Sequence, residues 1–252
     1  MLDTHPDLAR QLPALKEWIC SGETLPGHLA DRFRLSMPHA RMINLYGSSE
    51  VAGDVTWFDV QSIGANATFG SQNVPIGRPI ANTQIYLLDK HLKPVPLGAI
   101  GEIYVGGDNL ARGYHNQPQL TAERFVDNPF GPGKLYYMAD WGRYQPDGTI
   151  EFLGRRDSQV KIRGFRVELG EVEATLQHHP DIREAVVEAQ SLTDQPSTLQ
   201  LVAYIVCEAT EAVDSTSLRA HLETTLPDYM IPLRFITLDE MPLLPNGKID
   251  RH

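Results

Sequence analysis

Cysteine is nearly missing from this sequence: Cys20 and Cys207 are the only two. A disulfide framework and a cysteine-based zinc cluster are thereby excluded, and a reducing, cytoplasmic setting is the simplest expectation. No run approaches the ~18 apolar residues that a membrane span needs, so no membrane partner is expected. The opening Met1-Leu-Asp-Thr-His-Pro6 has neither the basic nor the apolar stretch of a secretion signal. It starts abruptly, already inside a polar, helix-like stretch. Positive charge is in deficit, with 22 Lys+Arg against 32 Asp+Glu and a formal net charge of −10. That balance excludes a generally basic nucleic-acid binder and leaves only local phosphate sites. Low complexity is absent too, because the 20 glycines and 18 prolines are scattered and read as turns.

What is present is ordinary globular composition: 252 residues, 42% hydrophobic and 21% charged. That length suits one large domain, or one plus a smaller. Residues 1–60 read as α/β. Leu15 to Ser21 is a strand, Pro26 to Phe33 a helix with Leu29 and Phe33 on one face, and Arg41 to Tyr46 a second strand. Short connections imply a right-handed parallel unit. Ligands in such sheets sit beyond the C-terminal strand ends, here Ser21-Gly-Glu23 and Tyr46-Gly-Ser-Ser-Glu50.

Residues 70–155 change to an antiparallel, barrel-like pattern. Gln84 to Asp89 and Gly101 to Val105 are short strands, Pro118 to Phe125 is a short helix, and Tyr144 to Phe152 is a hairpin around Pro146-Asp-Gly148. Residues 157–252 read as a compact α+β unit after a charged linker, Gly154-Arg-Arg-Asp-Ser158. Val160 to Val167 is a strand pair broken at Gly164, and Glu168 to His178 puts Leu169, Val172 and Leu176 on one helical face. Strands at Ala185 to Ala189 and Gln200 to Val206 follow, then a helix with Leu218, Leu222 and Leu226, stopped by Pro227. The fold expectation is therefore the end of a large α/β domain with a barrel-like antiparallel region (1–156), followed by a small α+β domain (157–252).

Several polar clusters stand at turns. Asn44-Leu-Tyr-Gly-Ser-Ser-Glu50 offers an aromatic face, two hydroxyls and a carboxylate, able to stack on a base, bind a phosphate and hold a metal. Taken alone it is more often an ordinary strand-to-loop turn. Asp140 at a strand end suits a ribose diol or a simple turn. Arg155, Arg156, Lys161, Arg163 and Arg166 put five cations into twelve residues, either an anion site or a solvated face. Lys248 follows Asn246-Gly247 and can swing as a mobile point charge, or is a surface lysine. Gly106-Gly107 is a weak phosphate-loop signal, with no GxGxxG or Walker motif around it. His178-His179 is a helix end rather than a metal pair, and Cys20 is core packing.

These clusters occur in one order: Asn44 to Glu50, Gly101 to Tyr114, Tyr137-Met-Ala-Asp140, Gly154 to Glu171 and Asn246-Gly-Lys248. The series resembles the later motifs of adenylation domains of nonribosomal peptide synthetases, in the adenylate-forming ligase superfamily. The resemblance covers nearly the whole chain, and the stretch Gly154 to Glu171 is its most specific part.

The resemblance implies a two-step reaction. A carboxylate attacks the α-phosphorus of ATP, giving an acyl-adenylate and pyrophosphate. The phosphopantetheine thiol of a carrier protein then displaces AMP. It further implies that Asn44 and Tyr46 hold the adenine, Ser49 the α-phosphate, Glu50 a Mg²⁺ ion, and Asp140 and Arg155 the ribose hydroxyls. By the same resemblance Asp157 is the hinge of the small domain, and Lys248 bridges substrate carboxylate and α-phosphate. Gly164 lies on the loop that serves the thioester step. Ile19, Ser21, Leu45, Gly53, Asp54 and Lys248 match pocket-lining positions. A carboxylate at Asp54 can meet an amine displaced along the substrate, which suits β-alanine; ornithine- or arginine-like substrates, or plain solvent, are the alternatives.

Two departures stand out. Met138-Ala139-Asp140 replaces the family's usual Thr-Gly-Asp. The family's phosphate-gripping loop and its usual amine-binding aspartate fall before residue 1, so an N-terminal half of the adenylation domain is an expected partner. The chain alone is expected to adenylate poorly. A fragment of an acyl-CoA or acyl-AMP ligase, and a non-catalytic module that docks a carrier protein, are the alternative readings.

Overall fold

The computed structural model describes residues 8–64, 67–157, 159–162, 164–191, 199–208, 213–244 and 249–250. The chain divides into two compact units, residues 1–157 and 158–252.

The first unit starts with a short helix, α1 (Leu8–Gln11), then β1 (Glu17–Cys20), α2 (Gly27–Ser36) and β2 (Arg41–Ser48). β1 and β2 pair in parallel, with Ile19 opposite Ile43 and Cys20 opposite Asn44. Pro26 at the N-cap has extended backbone, and its fixed φ favours the turn into α2. α2 then buries Ala30 and Phe33, which pack with Met37, Met42 and Phe58. Complete burial of a side chain such as Phe33 stabilises by about 1.5–3 kcal/mol.

The segment expected to turn after Tyr46 instead stays in β2 as far as Ser48. The reason is pairing on both sides: β2 lies between β1 and an antiparallel strand that the sequence reading missed, β3 (Gly53–Asp59). Gly47 is required where β2 and β3 converge, since a Cβ there would sit 1.9 Å from the Gly53 carbonyl oxygen. The sheet closes with the short β4 (Arg78–Pro79).

The rest of the unit is a curled antiparallel sheet. It comprises β5 (Thr83–Leu88), β6 (Ile100–Gly107), β7 (Phe125–Asp127), β8 (Lys134–Tyr144) and β9 (Ile150–Arg155), with α3 (Pro118–Arg124) before β7. The strand order is β5-β6-β8-β7, with β9 also paired to β8. Its interior holds Ile85, Leu87, Ile103, Val105, Tyr136 and Ile150, with Val51 and Val55 packed among them. Asp140 is not at a strand end, as expected, but inside β8. The strand deforms there instead of stopping. Glu102 pairs with Trp141 and Tyr104 with Tyr137, so β8 carries extra residues between those pairs. Ala139 takes up the kink at φ 59°.

The second unit begins with the hairpin β10 (Gln159–Ile162) and β11 (Phe165–Glu168), then α4 (Leu169–Gln177). β12 (Ile182–Ser191) and β13 (Leu199–Cys207) pair antiparallel. β14 (Arg234–Thr237), another strand absent from the sequence reading, adds parallel to β13 after α5 (Ser215–Glu223). Asp214 caps α5 by accepting from the Thr216 N–H. The helix stops at Glu223, three residues short of the expected Leu226, yet Leu226 remains buried with Leu218 and Leu222. Leu169, Val172 and Leu176 of α4 share that core, as the helical spacing requires.

Candidate functional site

The clearest constellation gathers around β8. The kink at Ala139 turns Asp140, 3% exposed, towards β9 and β2. On β9, Arg155 is the direct cross-strand partner of Asp140. The Arg155 Nη1 lies 2.7 Å from Asp140 Oδ1, and the Tyr46 hydroxyl of β2 donates to Asp140 Oδ2. The same guanidinium reaches forward along the chain. Arg155 Nε and Nη2 lie 2.7 Å and 2.9 Å from the two oxygens of Asp157, and Nη2 also donates to the Met138 carbonyl at 3.3 Å. One arginine thus carries two carboxylates, the planar fork being suited to bidentate grip. Burial, reinforced by the Asp140 charge, pushes the Tyr46 phenol well above its ordinary pKa, and Arg155 opposes this. Tyr46 therefore stays a neutral donor. Its ring packs on Phe152 with centroids 5.9 Å apart. Vicinal hydroxyls of a ribose are matching donors for a carboxylate held in this way.

Glu50 is buried in the 3-10 turn Ser49–Val51 and accepts from the Tyr114 hydroxyl at 2.8 Å. The Tyr114 hydroxyl lies 3.3 Å from that of Tyr136, and burial raises its pKa. The turn is fastened from the segment after β6: Ala111 N–H donates to the Glu50 carbonyl at 2.8 Å, and Asn109 Nδ2 to the Val51 carbonyl at 3.0 Å. Ser49 opens the turn beside Glu50. Among the described residues no group of three or more His, Cys, Asp or Glu could hold a metal. A single carboxylate still fits the Mg²⁺ habit of taking one or two protein carboxylates plus phosphates and waters.

Asn44, 3% exposed on β2, donates from Nδ2 to the Pro75 carbonyl at 2.9 Å. Its Oδ1 is buried with no hydrogen-bond partner among the described residues. A buried acceptor left unmatched is unfavourable, and an exocyclic amine would satisfy it. Past the ends of β1 and β2, Ser21 donates to Asp54 Oδ1 at 2.7 Å. Ile19 is 61% exposed, Leu45 faces Trp57 across the β2–β3 ladder, and Gly53 adopts φ +103°.

The remaining expected residues lie in the second unit or outside the described residues. Lys248 lies outside the described residues. Gly164 sits in the second unit at the β10–β11 turn with φ +82°, and a Cβ there would meet nothing within 4 Å. Described members of the basic cluster each have partners of their own. Arg155 is engaged by carboxylates, Arg156 pairs with Glu102, and Arg166 donates to Gln159 at 2.7 Å. Arg163 lies outside the described residues. Cys20 and Cys207 are free thiols, and burial pushes the Cys20 thiol up.

Three site residues escaped the sequence reading. Tyr114 stood in a quoted motif without a role. Asn109 stood in the same motif, also without a role, and Arg124 had no local signal, because what they touch depends on strands far away in sequence.

The AMP-binding enzyme family model matches residues 1–115, and the AMP-binding enzyme C-terminal domain model matches residues 171–248. The dimodular nonribosomal peptide synthase of Bacillus subtilis (strain 168) is 44% identical over 254 residues, covering 100% of this chain and 10% of that protein. Malpinin synthetase of Mortierella alpina is 43% identical over 255 residues, covering 95% of this chain and 3% of that protein. Among solved structures, holo-PA1221, an NRPS protein containing adenylation and PCP domains bound to a vinylsulfonamide inhibitor, superposes with a TM-score of 0.82 at 27% identity. That match covers 99% of this chain and 41% of that one. The chain therefore spans a small share of these curated relatives and under half of that structure.

Proposed function

Since this chain belongs to the AMP-binding enzyme family, among the adenylation domains of nonribosomal peptide synthetases, we propose that it supplies the nucleotide and ribose contacts of an amino-acid-activating ligase. The observation that carries this reading is the buried Tyr46–Asp140–Arg155 cluster. It presents a fixed carboxylate for a ribose diol beside a base-sized aromatic, with an unmatched Asn44 acceptor on the same strand, β2.

In this reading the substrate carboxylate attacks the α-phosphorus and pyrophosphate departs. A carrier-protein thiol then attacks the acyl carbon, and AMP departs. The protein's part is alignment and charge stabilisation. Asn44 accepts from the adenine amine, Tyr46 flanks the base, and Asp140 with Arg155 fixes the ribose. Ser49 faces the α-phosphate. Glu50 would hold Mg²⁺, whose chemistry is to neutralise phosphate charge. Asp157 serves as the hinge of residues 157–252, Gly164 leaves room for the pantetheine arm, and Lys248 bridges carboxylate and phosphate. Ser21 holds Asp54 oriented towards the substrate amine, in a pocket that Ile19, Leu45 and Gly53 complete. That supports β-alanine, with a cationic amino acid the competing substrate. Turnover is proposed to need the rest of the longer polypeptide.

The test is AMP binding by calorimetry to this chain and to Asp140→Asn. We expect saturable binding that the variant weakens about 10-fold or more, as loss of a charge-assisted hydrogen-bond acceptor does. Equal affinity in both proteins would remove the cluster from the nucleotide site. In the intact enzyme, exchange of pyrophosphate into ATP with β-alanine, ornithine or an α-amino acid decides the substrate.

A further inference from the structure

We propose that Arg124 is a positioning residue that latches the Asp157 carboxylate, and that with Arg155 it couples nucleotide contact at Asp140 to movement at Asp157. This rests on the reading of Asp140 as the ribose contact and Asp157 as the hinge.

Arg124 closes α3, and nothing in the motif series gives it a role. Its Nη2 lies 3.5 Å from Asp157 Oδ2, with side chains 21% and 24% exposed. That is the carboxylate which Arg155 already grips with two nitrogens. Arg124 is oriented by Tyr137, over whose ring its Cζ lies at 5.5 Å. Tyr137 is itself tied down, its hydroxyl 3.2 Å from Arg156 Nη1 and 3.3 Å from Glu102 Oε1. The three consecutive residues Arg155, Arg156 and Asp157 are therefore all held by side chains of the first unit.

Two features distinguish a latch from a static brace. First, Arg124 Nη1 is buried and has no hydrogen-bond partner among the described residues. A permanent brace would satisfy that donor, because an unmatched buried N–H is unfavourable. A guanidinium with one arm on Asp157 and the other idle suits a residue that exchanges partners when Asp157 departs. Second, Arg155 is shared. A ribose whose hydroxyls donate to Asp140 and accept from Arg155 competes for the guanidinium that also holds Asp157, so nucleotide occupancy and grip on Asp157 are linked. Arg124 decides how much of that grip remains when Arg155 is drawn away. A lysine would be a poor substitute, since a point charge cannot keep one donor on Asp157 and offer another at a fixed angle.

The experiment is backbone amide exchange, read by mass spectrometry over residues 155–162 of the full chain. Wild type, Arg124→Gln and Arg124→Lys are compared with and without AMP. Without nucleotide, Arg124→Gln should speed exchange in this segment about three- to fivefold, as loss of one partly exposed ionic contact does. Arg124→Lys should recover only part of the protection. The difference that AMP makes to exchange in wild type should shrink in Arg124→Gln, a response that a purely structural role would not alter. Unchanged exchange in Arg124→Gln overturns the latch, and so does an equal rise across α3, β7 and β8. If wild type fails to bind AMP, the nucleotide reading fails, while the nucleotide-free comparison still decides the latch. Should Arg124→Gln misfold, Asp157→Asn, which weakens the Arg124 and Arg155 contacts together, must raise exchange in this segment by at least as much, and no rise overturns the latch.

Discussion

Replacing Arg155 by methionine removes a guanidinium while keeping most of the stem's apolar volume. The Arg155 and Asp140 side chains are 15% and 4% exposed, so the variant strands a buried carboxylate with the Tyr46 hydroxyl as its remaining donor from this cluster. Removing one partner of a buried pair costs about 3–5 kcal/mol. The surviving Tyr46 bond places the expected loss near the lower bound, about 3 kcal/mol. Adding Asp140→Asn removes the stranded charge while an amide oxygen still accepts from Tyr46. The double variant should therefore recover about 2 kcal/mol, a coupling within the range for contacting residues.

The assay is urea unfolding followed by tryptophan fluorescence. Trp18, Trp57 and Trp141 are the only three tryptophans and all lie in residues 1–157, so this signal reports the first unit alone. A loss under about 1 kcal/mol, the level of an exposed ion pair, would refute the argument. So would strict additivity of the two substitutions.

Other outcomes follow from single positions. Ala139→Val should destabilise by about 2 kcal/mol or more, because a β-branched residue resists the left-handed φ of 59° found there. Ala139→Gly should stay within about 1 kcal/mol of wild type by the same urea assay, the relaxed backbone offsetting a lost methyl. Gly47→Ala should cost about 3 kcal/mol or prevent folding of the first unit, since its Cβ would overlap the Gly53 carbonyl; a native urea midpoint would refute the close approach. Burial raises the phenols of Tyr46, Tyr104, Tyr114, Tyr137 and Tyr144, Tyr104 to about 12. Folded values above the unfolded value of about 10 mean stability that is full below pH 10 and lost as pH rises through the folded values. An alkaline absorbance titration should show late phenolates appearing together with loss of native fluorescence. Reversible ionisation of every tyrosine near pH 10, with native fluorescence retained, would contradict it.

The elements most legible in the sequence were those with strong local periodicity. α4 announces itself through Leu169, Val172 and Leu176, and the β10–β11 hairpin through its break at Gly164. β3 and β14 were not seen, and their residues show why. Gly53-Asp-Val-Thr-Trp-Phe-Asp59 opens on two turn-forming residues, and its strand character comes from pairing with β2. Arg234 to Thr237 is just four residues long, and its ladder partner, β13, lies far back in the chain. The contrast recurs at the candidate site. Tyr46, Asp140, Arg155 and Asp157 each stand out in the sequence, yet the sharing of the Arg155 guanidinium by two carboxylates, with Tyr46 on one of them, depends on a kink at Ala139 that no local rule foretells. Arg124 and Tyr114 are the extreme cases, ordinary in sequence and consequential in space.

The way β9 ends has a mechanical consequence. Its last residue, Arg155, is also the first rung of the ladder with β8, and two residues later the first unit stops. A tensile load pulling across the strands at Arg155 would enter at that rung and peel β9 from β8 like a zipper, one hydrogen-bonded pair at a time. Peeling is the weak direction of a β-ladder, since the bonds yield in sequence and not together. The Arg155 clamp on Asp140 and Asp157 sits on the first tooth, where a fastening raises the force at which unzipping can begin.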